Sequence, residues 1–408
     1  MTEPHQQRRR PRRAASRRRG WAATIIVLVL AWVTAAIAGT SSPAVASAPA
    51  PRSTMVPPSS FGPYRVGRQV ITITSHTGRS RTIDVWYPAN ATATGRLSTY
   101  VGPAFSGLAS TGRALDRVPV AKGGPFPLVV YSHGSGAMRF IATFFTETLA
   151  SHGFVVISAD HTGDTISDVF AGHPSTPGQE PQIIASRAAD VRMIVSVVLT
   201  RSATRGDLLY KAVDARRIGI TGHSYGGLTA FATVSGRTSS DGHAIPRDAR
   251  FKAIVTMDAT WDLLVSTDLA HVTIPTLSIV GEDMPPGGAS FWYQTRSSPF
   301  LELRINRADH NVFTDICLYQ RLLPEQPHAT PAAVAYINAT ANATCRPPHL
   351  GADAAHLLTN RYAIAFLLVH LAGDQRYASY LIPAHGTEFD LTRPTLGARP
   401  PDDTTPLP

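Results

Sequence analysis

Gly222-His223-Ser224-Tyr225-Gly226 sets a serine between two glycines, the spacing G-x-S-x-G. A serine hydroxyl is a weak nucleophile until a neighbouring base takes its proton. It is best presented on a sharp strand-to-helix turn, where side chains flanking the serine would clash and glycines do not. A helix starting near Gly226 would aim backbone N–H groups and a positive partial charge at an oxyanion forming beside the serine. Upstream, Tyr131-Ser132-His133-Gly134-Ser135-Gly136 strings small residues directly behind an apolar run. Backbone of this kind can approach a substrate closely, so the N–H groups of Ser135 and Tyr225 are the expected oxyanion donors. His133 is expected to orient that loop through hydrogen bonds.

The serine needs a base, and fifteen histidines compete. In a chain that places its serine on a strand-to-helix turn, the base comes late, on a loop after the last strands. His310, in Arg307-Ala308-Asp309-His310-Asn311, follows the strand-like run 301–305 and fits. His223 falls inside the pentapeptide and reads as structural; His328, His349 and His356 lie beyond the expected base and are poorer candidates. Two acids qualify. Asp258 ends the apolar run 253–257 and precedes Ala259 and Thr260, a context for a buried carboxylate. Asp283 follows the run 276–280 but stands beside Glu282 and before Pro285-Pro286-Gly287-Gly288, a solvated, turn-rich setting. Asp258 is the preferred acid and Asp283 the alternative.

These residues need elements to hold them. Residues 70–73 and 82–86 alternate apolar and polar side chains, as strands do. Short apolar, β-rich runs at 127–131, 154–157, 218–220, 253–257 and 276–280 read as buried parallel strands. Helical stretches at 140–152, 183–199, 226–234 and 362–371 lie between and after them. Strand–helix alternation predicts an α/β fold, a mostly parallel central sheet with helices on both faces. The Gly/Pro/Ser/Thr-rich loops 90–124 and 161–182 are too long for simple connectors and are expected to serve a site or a lid.

The 408 residues carry a formal net charge of +10. Eight arginines between Arg8 and Arg19 oppose only Glu3 in residues 1–46, so the rest is near neutral and nucleic-acid binding loses its main support. The arginines precede an uncharged run, 22–38, and then Pro43-Ala44-Val45-Ala46-Ser47-Ala48. A positive start, an apolar stretch and a small-residue cleavage site predict a signal peptide, 1–46, cut after Ala46. Ser16-Arg17-Arg18 offers a twin-arginine reading, and an uncleaved membrane anchor is the alternative. A linker is expected at 47–60, the catalytic domain at 61–383 and a disordered, Pro-rich tail at 384–408. Two cysteines exclude a disulfide scaffold and a cysteine-rich zinc module, and no metal is expected. In an exported protein those two, Cys317 and Cys345, are expected to pair.

Several blocks carry a resemblance. Phe61-Gly62-Pro63-Tyr64-Arg65-Val66-Gly67, the stretch 127–139, residues 149–156, Ala159-Asp160-His161, Arg187-Ala188-Ala189-Asp190, the elbow 222–227, Asp258-Ala259-Thr260 and His310-Asn311-Val312-Phe313 stand in order. Together they resemble α/β-hydrolases, and within them the secreted platelet-activating-factor acetylhydrolases and related bacterial lipases. The resemblance implies a secreted serine esterase with Ser224, Asp258 and His310 in the catalytic roles and no cofactor. It implies a lipid ester with a short acyl chain, such as the sn-2 acetyl of platelet-activating factor, and transient contact with a lipid surface. Ser135 stands where the animal enzymes usually have a larger apolar residue; a backbone N–H donor tolerates that swap. Residues 90–124 form an insertion, and the segment 317–345 is not expected in the animal proteins. The likeness extends to polyester-hydrolysing cutinases and dienelactone-hydrolase-like proteins, so a cutinase-like or triacylglycerol esterase is the enzyme alternative. An exported binding protein that keeps the fold without turnover is the non-enzyme alternative. Trp261, Phe291, Trp292 and Tyr293 are candidates for an acyl pocket or lipid-facing rim, with core packing the preferred reading.

Overall fold

The computed structural model describes residues 55–74, 80–100, 112–260, 263–282, 294–326 and 329–393, all within one compact unit. Apolar, β-branched runs bounded by glycine, proline or polar residues become the strands. These are β1 (Arg65–Thr74), β2 (Ser80–Ala89), β3 (Leu115–Asp116), β4 (Phe126–Ser132), β5 (Val155–Ala159), β6 (Val213–His223), β7 (Phe251–Met257), β8 (Thr276–Val280), β9 (Phe300–Ile305), β10 (Ala384–His385) and β11 (Phe389–Thr392). They join in one sheet, ordered β10-β11-β9-β8-β7-β6-β4-β5-β2-β1-β3. The run from β5 to β9 is parallel, while β2 and β11 pair antiparallel at its two sides. Every residue of β4, β5 and β8 is buried, as expected of strands covered on both faces.

The helices are α1 (Thr143–Ser151), α2 (Ile166–Phe170), α3 (Glu180–Ala203), α4 (Tyr225–Ser235), α5 (Ser266–Leu269), α6 (Ile316–Leu322), α7 (Pro331–Thr344) and α8 (Ala352–Leu367). Helix α3 turns Ile184, Ala188, Val191, Val195 and Val198 to the sheet, a stripe at helical spacing. That stripe and Leu228 and Phe231 of α4 form the core on one face. Phe145 and Leu149 of α1 and Tyr362 and Phe366 of α8 form it on the other. The α/β architecture expected from strand–helix alternation is the one observed.

Two expectations change. Residues 384–393 are not a tail: β11 pairs with β9, and Leu391 is buried. The signal was hidden because a short edge strand between prolines has little apolar content. In the segment after the expected base, α7 occupies 331–344. Its start is written locally, with Pro331 in the first turn and the Thr330 hydroxyl accepting from Ala333 N at 3.2 Å. The described ends of the 90–124 insertion sit at the β1 side of the sheet, not at the site. There Tyr100 donates to Glu147 at 2.5 Å and accepts from Trp86 Nε1 at 2.6 Å. The expected signal peptide 1–46, most of the linker 47–60, the tail beyond 393, and Asp283, Trp261, Phe291, Trp292, Tyr293 and His328 lie outside the described residues.

Candidate active site

Ser224 joins β6 to α4 with φ 55° and ψ −124°. A non-glycine residue held there costs about 1–3 kcal/mol, so its surroundings must impose it. Its own N–H donates to Met257 O at 2.9 Å, and its carbonyl accepts from Gly227 N at 2.8 Å. A Cβ on Gly226 would run into the Ser132 carbonyl, and one on Gly222 would run into the Gly226 backbone. Both glycines of the pentapeptide are therefore required by close packing around the turn.

His310 opens a short 3-10 turn, His310–Phe313, after β9; the Asp309 carboxylate caps it by accepting from Asn311 N at 2.8 Å. His310 Nε2 lies 2.9 Å from Ser224 Oγ, and His310 Nδ1 lies 2.5 Å from Asp258 Oδ2. Asp258 follows β7 at φ 49°, nearly out of water, and its Oδ1 accepts from Gly281 N at 2.8 Å. Burial alone would push its carboxyl up. The His310 hydrogen bond and charge, with the Gly281 N–H, more than offset this and hold it below the usual carboxylate value. The line from serine to imidazole to carboxylate can move a proton from Ser224 Oγ to Nε2 while Asp258 holds Nδ1–H. The structure brings together Ser224, His310 and Asp258; it does not describe Asp283.

The other histidines take supporting places. His223 Nε2–H donates to the His310 carbonyl at 2.8 Å. Burial, then the His310 charge, push its pKa down to about 3, so it is neutral. His133 Nδ1–H donates to Gly134 O at 2.7 Å, and its Nε2 accepts from His161 N at 3.1 Å. Burial and the Arg187 charge lower it to about 3 as well. The expected orienting role of His133 thus has two bonds behind it. His356 Nε2–H donates to Val312 O at 2.8 Å, bracing the His310 turn from α8.

A cavity of about 220 Å³ opens beside the serine. Ser135, Ser224 and His310 line its polar side, and Met138, Ile141, Ile166, Ile316, Tyr319 and Tyr336 line its apolar side. Tyr225, the other expected donor, is the first residue of α4. Of the two long loops, 161–182 reaches this site, because it carries Ile166. Helix α7 supplies Tyr336 and is tied down twice. Cys317 of α6 is disulfide-bonded to Cys345 at its end, with Cα atoms 5.8 Å apart, and Thr344 Oγ1 donates to Asp309. Asp164, Arg187 and Asp315, discussed below, were not singled out as site residues by the sequence. Among the described residues no cluster of three His, Cys, Asp or Glu side chains could hold a metal, and no helix is long and apolar enough to cross a membrane.

With this geometry in place, comparison with known proteins adds a family likeness. Residues 109–190 match the family model described as platelet-activating factor acetylhydrolase, isoform II. The dog platelet-activating factor acetylhydrolase is 26% identical over 189 residues, 38% of this chain and 40% of that one. Over these stretches the chain is similar to the platelet-activating-factor acetylhydrolases, and its fold is that of the α/β-hydrolases. A chlorophyllase type 0 from Chenopodium album is 30% identical over 139 residues, 33% of this chain and 35% of the plant protein. The alignments span well under two thirds of the length of these curated relatives. A solved ferulic acid esterase from Streptomyces cinnamoneus shares the fold, with a TM-score of 0.53 and 21% identity, over 76% of this chain and 91% of the esterase.

Proposed function

We propose that this hydrolase is a secreted serine esterase that cleaves carboxyl esters of lipids bearing a short acyl chain. The observation that carries the reading is the continuous line Ser224–His310–Asp258 at the mouth of an apolar cavity. His310 Nε2 takes the hydroxyl proton as Ser224 Oγ attacks the ester carbonyl, and later gives it to the leaving alcohol. Asp258 fixes the imidazole tautomer and stabilises the imidazolium. The Ser135 and Tyr225 N–H groups hold the oxyanion, helped by the N-terminal end of α4. Water then releases the acyl group from Ser224 by the same steps in reverse, and the cycle needs no cofactor.

The cavity, at about 220 Å³, is smaller than the 300–1,000 Å³ typical of pockets that enclose a whole drug-sized ligand. It suits a short acyl group while the rest of the lipid stays outside. This supports a short sn-2 acyl phospholipid over a long-chain triacylglycerol. Export rests on the leader 1–46 and on a paired Cys317–Cys345; a size shift on secretion tests it, and an unshifted, membrane-bound product sides with the uncleaved anchor.

A fluorophosphonate probe should label the wild-type protein and leave Ser224→Ala unlabelled; no labelling of the wild type means the binding-protein alternative. Turnover of an acetyl phospholipid beside a polyester film decides the substrate. Preference for the film, or for long-chain triacylglycerol, replaces the phospholipid reading with the cutinase-like one.

A further inference from the structure

Arg187 falls on the apolar stripe of α3, between Ile184 and Val191, and is buried. A guanidinium out of water must be paired. Its Nη1 donates to Asp164 Oδ2 and its Nη2 to the His133 carbonyl oxygen. Its Nε donates to Thr229 Oγ1 of α4 at 3.1 Å, and its carbon centre lies 5.6 Å from the ring centre of Tyr225. Asp164 in turn faces the loop after β4. Its Oδ1 accepts from Ser135 Oγ at 2.6 Å, Gly136 N at 3.3 Å and Ser175 Oγ at 2.9 Å. One cation therefore touches both pieces of backbone assigned to the oxyanion: the Ser135 loop, through Asp164 and His133, and the start of α4, through Tyr225 and Thr229.

We propose that Arg187 and Asp164 are a positioning pair for the oxyanion hole, setting the separation between the Ser135 and Tyr225 amides. The inference rests on the reading of Ser224 as nucleophile and of those two amides as oxyanion donors. The chemistry favours it over a role in stability alone. A buried ion pair is weak evidence for stability, since well-packed apolar residues often serve as well or better. Donors aimed at a developing charge, in contrast, act only if held to about 0.5 Å. The planar guanidinium makes several directed bonds at once and suits that task better than an ammonium. Burial pushes the Asp164 carboxyl up, but the Arg187 charge and the Ser135 and Ser175 hydroxyls hold it below the usual value.

The test uses Asp164→Asn, Arg187→Met, Arg187→Lys and Ser135→Ala, assayed on a short-chain ester. Expected for Asp164→Asn and Arg187→Met is a fall in kcat of about 10²-fold, the scale of losing one oxyanion donor, with KM nearly unchanged. Affinity for a trifluoromethyl ketone, which forms a tetrahedral adduct on the serine, should fall by the same factor as kcat/KM. The pH midpoint of the imidazole-dependent rise in rate should not move. Arg187→Lys should recover part of the loss. Variants that are less heat-stable but keep wild-type kcat, KM and inhibitor affinity overturn the proposal. If the buried variants do not fold, Ser135→Ala decides, because it removes one exposed hydroxyl and leaves the amide. A several-fold loss in kcat with the same inhibitor parallel supports the pair, and an unchanged kcat overturns it. An active Ser224→Ala would overturn the nucleophile reading itself, whereas an inactive Ser224→Ala beside fully active pair variants overturns only this inference.

Discussion

Asp258 meets two donors, His310 Nδ1–H on one oxygen and the Gly281 N–H on the other, and both bonds need the same side-chain orientation. Asn in its place keeps the size but turns one oxygen into an NH₂, which cannot accept from Nδ1–H, so the imidazole is pushed toward the wrong tautomer. Asp258→Asn should lower kcat by about 10⁴ with the circular dichroism spectrum intact; Asp283→Asn should change little. A large loss at Asp283 with an active Asp258→Asn would reverse the assignment. Because the folded carboxyl lies below its usual value, its contribution to stability is present above the unfolded pKa and is lost as pH falls through the folded one. At this scale the serine and the base were legible, because a G-x-S-x-G turn and a late post-strand histidine follow from local rules. That Asp258 ends buried beside the imidazole agrees with its flanks, an apolar strand on one side and small residues on the other. Arg187 was quoted only as part of a block, although its signal was present: an arginine on the apolar stripe 184, 188, 191 must find a buried partner. That partner, Asp164, comes from a loop with no periodicity, so no pattern in the sequence could name it.

Among the elements, a carboxylate just after the His310 turn reaches α1. Asp315 accepts from Thr143 N and Thr143 Oγ1, each at 2.6 Å, capping α1, and it sits between the 3-10 turn and α6. Burial pushes its pKa up to about 7, against the pull of the Thr143 and Phe144 donors and with some help from Glu147. The stability it contributes is complete below the unfolded carboxylate value and is lost as pH rises toward 7, by at most about 4 kcal/mol. Asp315→Asn should therefore flatten the fall in thermal midpoint between about pH 4 and 7; an equally steep fall in the variant would show that another group titrates. The same neighbourhood holds α7, a helix rich in alanine and threonine. Alanine-rich helices bury little and show weak apolar periodicity, so pairing of Cys317 with Cys345 is what identifies this one with the site wall. Closing a loop of sequence separation 28 contributes about 3–4 kcal/mol by chain entropy. Unfolded, unreduced protein should titrate no free thiol. Two free thiols would end the claim, and with it the oxidising-compartment argument.

Across the whole molecule, the site residues leave the carboxyl ends of parallel strands: Ser135 after β4, Ser224 after β6, Asp258 after β7 and His310 after β9. Such ends face one crevice in an open α/β sheet, which is why the strand pattern alone already predicted where chemistry would gather. The far edge was not predicted, and it bears on the base. β9 is the last parallel strand, and its open side is covered by β11, with Ile305 opposite Phe389 and Leu303 opposite Leu391. Leu391 is fully buried, Phe389 packs 5.3 Å from the Tyr362 ring, and Asn306 N donates to Glu388 O at 2.8 Å, four residues before His310. Ending the chain at Pro383 removes these contacts and leaves a row of unpaired backbone groups beside the base loop. Losing the buried leucine alone costs about 1.5–3 kcal/mol. The shortened protein should unfold at a lower temperature and lose kcat more than it changes KM, since the histidine moves while the rest of the cavity wall, from the loop after β4, α6 and α7, stays. Ending the chain at Arg393 should leave both properties as they are. If the Pro383 truncation matches the full-length protein in thermal midpoint and kcat, then residues 384–393 are the dispensable tail that composition first implied, and β11 does not hold the base in place.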